Sequence, residues 1–460
     1  MQHPGLTTFV SAVAIVLALF LFIWLVSRHA SPSVTVVYGV GNGVQQYGGV
    51  PTHVYFLNES ISPINMSVGA AIIGTPTLYN GVLLVSTMGN LTLLQRSRYD
   101  LIRGGVFAIQ ENTSTVLWHD VFPNQIMSQP ITVGNVIVVS MGNNQEVPPQ
   151  YYNLNNAVLG IDFNTGKVLW QVNTTGSSMA TPPFFDGNVI QVTMLGRYYL
   201  INVNNGTVEA SGSFGKPDLL SSPVLANGTV YFGGSSAVVL ANGTYLNFGG
   251  FFSMNALTGE INWETDEANA STGFNDECAI VFNGNVISDY LANSAYNNPH
   301  LISFNRTTGA ILWELNETST LPKMQVIGGL PAGADLNYTQ NAVTPLLLYN
   351  GVVYSNSNFL GMMFAVNAST GKPIWVFNSG QEEGAPNMID GRYLIDMNDG
   401  GVLYVLNASD GKLVNYFNTG IPHLTSQAMI TKNYALITGM NGRIETIPIN
   451  ALIAPSNVSS

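Results

Sequence analysis

The chain has 460 residues, enough for several ordinary domains or for one repeat architecture, and a formal net charge of −12. Only 9% of its residues are charged, against about 25% in ordinary soluble proteins; the acidic balance and the lack of a long basic run exclude a nucleic-acid partner. A single cysteine, Cys278, excludes an internal disulfide and any cysteine-based zinc cluster.

Residues 6–26 are an uncharged apolar run of 21 residues, long enough to cross a bilayer as a helix. The run exceeds a secretory h-region, about 7–15 residues, and Arg28 would stand three positions before a cut at Ala30. Residues 1–27 are therefore expected to be an uncleaved transmembrane signal anchor. Residues 28–52, with Pro32, Pro51 and several glycines, read as a linker. Arg28 alone biases the large domain toward the cytoplasm. Fifteen Asn-x-Ser/Thr sequons and the low charge point the other way. The expectation is a single-pass cell-membrane glycoprotein whose large domain is extracytoplasmic, at the cell surface.

Beyond the linker a unit recurs, clearest in residues 157–170, AVLGIDFNTGKVLW. An alternating strand (Val158, Leu159, Ile161, Phe163) meets an Asn164-Thr165-Gly166 turn and returns through Val168 and Leu169 to Trp170. Trp118, Trp170, Trp263, Trp313 and Trp375 stand four residues after the turn glycine or, for the first, after Ser114. Each should face the residue ten before it across the hairpin, and Ala108, Gly160, Ser253, Ser303 and Ala365 are all small. Two degenerate copies invert the pair, with Ala210 facing Leu200 and Asn415 facing Val405. Large against small at a repeated site is what close packing requires, so these tryptophans are read as structural docking residues between units.

In chain order, first strands start near Thr75, Gln129, Thr181, Ser222, Glu277, Val343, Gly384 and Ser426. Each leads through a tight Asn-Gly- or Asp-Gly-rich turn to a second strand, then a variable loop and the tryptophan hairpin. Four-stranded units at this period predict an all-β fold, an eight-bladed β-propeller over residues 53–460 behind the N-terminal transmembrane helix. The eighth unit stops after its third strand, Arg443 to Ile449. An N-terminal strand is expected to complete that last blade and close the ring, with residues 54–57 as first candidate and 34–38 as second.

A small residue, then Thr-Gly, then Trp, as in Ala365, Thr370-Gly371 and Trp375, resembles the repeat of the pyrroloquinoline-quinone-like (PQQ-like) β-propeller family. The resemblance covers roughly residues 53–455. That family includes quinoprotein dehydrogenases, tetrathionate hydrolases and non-enzymatic scaffolds of outer-membrane protein assembly, so it implies the fold and leaves the activity open. Its dehydrogenases carry a vicinal Cys-Cys disulfide over the quinone and a Glu/Asn/Asp calcium set. One cysteine makes the disulfide impossible and no calcium set can be placed, so no cofactor is expected, neither PQQ nor calcium.

The long connections, 88–104, 141–156, 233–249, 264–276, 290–299 and 316–342, should gather on one face, where binding usually resides on a rigid scaffold. Arg96, Arg98 and Arg103 are candidate ligand-binding residues there, because arginine forks suit oxyanions. Glu264, Asp266, Glu267 and Glu277, with Asp276 and Asp289 nearby, form an acidic set suited to ligand binding or to a general acid. Glu382 and Glu383 echo it. His119, His300 and His423 share no ligand spacing, so no metal site is expected. The first functional expectation is a membrane-anchored binding or scaffold module that docks a protein or glycan partner through this face. The alternative is an extracytoplasmic enzyme resembling tetrathionate hydrolase, with Asp276 or Asp289 as proton donor and Arg96, Arg98 or Arg103 clamping the dianion; a quinoprotein dehydrogenase comes after it. Sparse charge suits an acid exterior, where carboxylates are largely neutral.

Overall fold

The repeat units fold as eight sheets, each with a four-stranded antiparallel core in radial order, and together they make an eight-bladed β-propeller. The computed structural model describes residues 46, 48–50, 52–96, 98–143, 153–214, 222–239, 245–267, 278–291, 298–329, 345–357, 360–380, 384–421 and 426–455. The anchor expected at residues 1–27 and most of the linker lie outside the described residues. Among the described residues no helix is long and apolar enough to cross a membrane.

Innermost strands are two or three residues long: Thr77–Tyr79, Ile131–Val133, Phe184–Phe185, Val224–Ala226, Ile280–Phe282, Leu347–Tyr349, Asn387–Ile389 and Met429–Thr431 in blades one to eight. Six of them turn into the second strand through Asn80, Asp186, Asn227, Asn283, Asn350 or Asp390, each with φ between 47° and 52°. Asn and Asp tolerate that left-handed conformation, so the Asn-Gly and Asp-Gly pairs fix the hairpins.

All seven expected cross-hairpin pairs are present. Trp118 faces Ala108, Trp170 faces Gly160, Trp263 faces Ser253, Trp313 faces Ser303 and Trp375 faces Ala365. Leu200 faces Ala210 and Val405 faces Asn415. The indoles do more than fill space. Each donates its N–H to the next blade: Trp118 to Phe163 O, Trp170 to Val203 O, Trp263 to Arg306 O, Trp313 to Ala368 O and Trp375 to Ala408 O, at 2.8–3.1 Å. Each also lies on that blade's turn glycine, Gly166, Gly206, Gly309, Gly371 or Gly411, where a Cβ would come within 3 Å of the ring. Hence the Thr-Gly of one repeat accommodates the tryptophan of the repeat before it. In the third blade, which lacks the tryptophan, Tyr198 packs on Gly259 instead. In the seventh, Asn415 donates to Ala451 O and Ala454 O around the C-terminal helix Ile449–Leu452.

The last blade differs in detail from expectation. Phe56–Leu57 pairs in parallel with Ile430–Thr431 at the hub, so residues 54–57 do not supply the missing outer strand. That strand is Asn65–Ser67, antiparallel to Arg443–Pro448. It is three residues long with a single apolar side chain, Met66, too short for its alternation to mark a strand. Residues 34–38 lie outside the described residues.

The segment leading to it runs along the axis. Gly48 N–H donates to Gln129 Oε1, and Leu225 N–H donates to Gln46 Oε1. Leu348 N–H donates to Thr52 O, and His53 Nδ1–H to Leu346 O at 2.8 Å. Gln427 donates to His53 O, and Asn387 both accepts from Tyr55 N–H and donates to Tyr55 O. The Tyr55 phenol lies beside Thr77 and Gln129. These partners sit on the innermost strands of blades one, two, four, six, seven and eight, or just before them. Only a chain in the axial channel reaches so many hubs. Asn387→Ala would strip bonds from Tyr55 N and O and from Ala428 O, all buried. A loss of roughly 2–4 kcal/mol is expected from these unsatisfied groups, readable as a lower urea midpoint.

Candidate functional site

The expected arginine clamp is largely spent on its own loop. Arg98 forks onto Asp100 through Nε and Nη2, at 3.0 and 2.9 Å, and this pairing holds the Asp100 carboxyl below the usual carboxylate range. Arg103 Nη1 donates to Ile102 O at 2.9 Å. Arg96 is exposed. Glu264 is exposed on the outermost strand of blade four, Ile261–Glu267. The side chains of Asp266 and Glu267, and all of Asp276, Glu277, Glu382, Glu383 and His423, lie outside the described residues. Asp289 is buried in the second strand of blade five, Asn285–Leu291, in a row with Leu301 and Leu315 that packs against blade six. His119 stacks on Phe107 with centroids 5.3 Å apart.

A tighter constellation stands at the long-loop end of blade five. Tyr290, His300 and Asn316 form one cross-strand row over the second, third and fourth strands. Glu314 is the diagonal neighbour of His300, within reach across the strands. Tyr290 O–H donates to Glu314 Oε1 at 2.5 Å, and His300 Nδ1 lies 2.6 Å from the same oxygen. On the far side of the ring, the amides of Asn298 and Asn316 each approach Nε2 to 2.9 Å. Both are donors, so Nε2 accepts and the ring proton sits on Nδ1, directed at Glu314. Tyr290 belongs to the buried cluster between blades four and five, and its ring lies 5.1 Å from that of His300. Glu314 keeps 38% of its side chain exposed, so solvent reaches it.

Next in sequence comes a carboxyl of the opposite character. Glu317 opens the short helix Glu317–Thr320, capped by Asn316 Oδ1 accepting from Ser319 N–H at 2.8 Å. Its own side chain is fully buried and Oε2 finds no hydrogen-bond donor. Burial pushes its pKa to about 8, with the Ser357 hydroxyl offsetting part of the effect. Glu317 is therefore protonated at acid and neutral pH. Asn356, adjacent to Ser357, points to the other side of its strand and donates to Asp396 Oδ2 at 2.6 Å. The buried polar line thus joins blades five, six and seven. Among the described residues no group of His, Cys, Asp and Glu is arranged to hold a metal ion.

Of this neighbourhood, sequence reasoning had singled out Asp289, and had set His300 aside as a metal ligand for want of ligand spacing. The register was available: if Trp313 faces Ser303, then Asn316 faces His300. Nothing in the sequence marks Glu317 as buried.

Tryptophan-docked four-stranded blades in a ring of eight define a repeat-built propeller. The chain belongs to the PQQ-repeat family whose model is described as outer membrane protein assembly factor BamB, which matches residues 73–314 and 297–439. It is 24% identical over 293 residues to tetrathionate hydrolase of Acidithiobacillus ferrooxidans, a match covering 59% of this chain and 54% of that protein. The chain thus spans about half the length of that curated relative. Among solved structures it resembles BamB of Moraxella catarrhalis, with TM-score 0.59 and 16% identity over 85% of this chain and all of that one. It also resembles quinohemoprotein alcohol dehydrogenase of Comamonas testosteroni, with TM-score 0.61 and 11% identity over 91% and 82% of the two chains. At these identities the structural likeness shows the fold alone.

Proposed function

We propose that this chain is a hydrolase of the tetrathionate-hydrolase kind, acting on a sulfur oxyanion at the long-loop end of blade five. The observation that carries the reading is the convergence of Tyr290 O–H and His300 Nδ1–H on the half-exposed Glu314. Two donors on one oxygen orient the half-exposed Glu314 carboxyl toward solvent, where it can take a proton from attacking water. Glu314 then gives that proton to the departing group, while Tyr290 and His300 keep the carboxyl oriented. The sequence likeness to a tetrathionate hydrolase supports the substrate class. The filled axial channel and the lone cysteine favour chemistry without PQQ or calcium. In this reading residues 1–27 hold the propeller on the outside of the cell membrane, as the sequons and sparse charge suggest.

The test is turnover of tetrathionate at acid pH by the purified protein, followed as sulfate release. His300→Ala and Glu314→Gln should each lower turnover by about a hundredfold or more in protein that still unfolds cooperatively. A parent protein without turnover would remove the proposal.

A second reading, a binding or scaffold module, rests on a different observation. Leu117, Leu169 and Leu312, each just before a docking tryptophan on an outermost strand, are 47–51% exposed. Aliphatic side chains repeated along unpaired edge strands suit a protein partner. A stable complex lost on Leu117→Glu and Leu169→Glu, in a protein inert toward tetrathionate, would favour it.

A further inference from the structure

The repeat provides its own control for finding positions that have left the structural pattern. In the turn between third and fourth strands, the residue whose carbonyl receives the neighbouring indole is Phe163, Val203, Ala368 or Ala408 in four blades, and Ala256 holds the same place in another. Glu111 holds it in blade one, where the carboxylate is bound by Ser62 N–H. In blade five it is Arg306, the one cation at this position. A second position departs nearby. The residue before the tryptophan is Leu117, Leu169, Leu312 or Ile374 in four blades, and Asn262 in blade four.

Both departures line the same cavity, of about 340 Å³ and open to solvent, at the junction of blades four and five. It lies on the tight-turn face, at the far end of these blades from the Glu314 site. Asn227, Thr229, Tyr231, Ser253 and Thr307 complete its polar wall, and among the described residues no carboxylate lines it. Ser253 is buried, accepts from Asn262 Nδ2 at 3.2 Å and hydrogen-bonds the Tyr231 phenol, so it holds Asn262 and Tyr231 in place. The hydroxyls of Thr229 and Ser253 surround the Tyr231 phenol, and the Arg306 charge is close enough to act on it. An arginine fork, an amide and several hydroxyls without a counter-anion make a donor-rich pocket. Its volume exceeds that of a bare ion, at about 30 Å³ per water-sized unit.

We propose that this inter-blade cavity is a binding site for a sugar-sized polar molecule carrying one oxyanion, which pairs with Arg306. The Asn262 amide and the Thr229 and Thr307 side chains at the open edge meet the hydroxyls of the ligand. The site is separate from the proposed catalytic end and independent of it.

Calorimetric titration of the full chain with glucuronate tests this, with glucose as the neutral counterpart. Glucuronate should bind at least tenfold more tightly than glucose, and inorganic sulfate should compete with it. Arg306→Gln should weaken glucuronate at least tenfold. Arg306→Lys, which keeps the charge and loses the fork, should fall between. Glu314→Gln should bind like the parent, so a failure here is distinct from a failure of the hydrolase reading. No binding of glucuronate, equal binding of glucose, or unchanged affinity in a folded Arg306→Gln protein would overturn the assignment.

Discussion

Gly160→Ala is expected to destabilise the propeller by about 3 kcal/mol, although the substitution adds a single methyl group. A Cβ at that position would lie 2.1 Å from Cε2 and 2.3 Å from Nε1 of Trp170. The indole has no free side to retreat to. Its N–H is bound to Val203 O at 2.8 Å and its ring covers Gly206 of the next blade. Relief therefore requires the indole to shift against the third blade, at a junction built around glycine where the first and sixth blades are built around Ala108 and Ala365. Urea unfolding followed by circular dichroism reads the loss. Trp170→Leu made in the Gly160→Ala background should cost less than it does alone, because the two residues share one space. Parental stability in Gly160→Ala would refute the docking account.

The second large effect is a pH dependence with two opposed limbs. Glu317 has its pKa raised to about 8 by burial, from an ordinary value of 4.5. Below 4.5 folded and unfolded chains both hold the proton and the contribution is complete. Above it the unfolded chain releases the proton first, and stability falls until the folded group ionises near 8. The span corresponds to about 5 kcal/mol. His53 acts with the opposite sense. Burial lowers its pKa from 6.5 to about 4, with its bond to Leu346 O opposing in part. Its contribution is complete above 6.5 and is lost as pH falls toward 4, a span of about 3 kcal/mol. Between 4.5 and 6.5 the limbs offset each other. Urea midpoints measured across pH should show Glu317→Gln flattening the alkaline limb and His53→Gln flattening the acid one. An alkaline limb of full height in Glu317→Gln would assign it to other groups, Glu59 first, which burial also raises.

What the sequence made legible was set by local rules that repeat. The tryptophan and the small residue ten before it state a register, and a register states which residues meet; seven such pairs follow. Closure at the last blade obeys no local rule. Asn65–Ser67 is three residues long and finds its partner far along the chain, so nothing near it in sequence announces the pairing. The site was legible in part for the same reason. Loop lengths pointed to the face, and Asp289 was visible as a carboxylate. The bond between His300 and Glu314 needs the twist and stagger of three strands, and the burial of Glu317 depends on how a one-turn helix covers the junction with blade six. The arginines drew attention by proximity in sequence, yet Arg98 and Arg103 are bound within their own loop. Arg306, alone in its turn, was not noticed, although the repeat itself marks it as foreign to the pattern.

The hub strand Phe56–Leu57 and the rim strand Asn65–Ser67 both belong to the first part of the chain to be synthesised, and both wait for a blade made last. Until residues 429–448 emerge, the opening segment has no sheet to join and the ring has no clasp. Folding is thereby committed late, by contacts of very large sequence separation, which slow the final step and leave earlier blades with an open flank. A nascent chain stalled before residue 429 should remain protease-sensitive at both ends of the arc, and gain resistance all at once when its last blade is released.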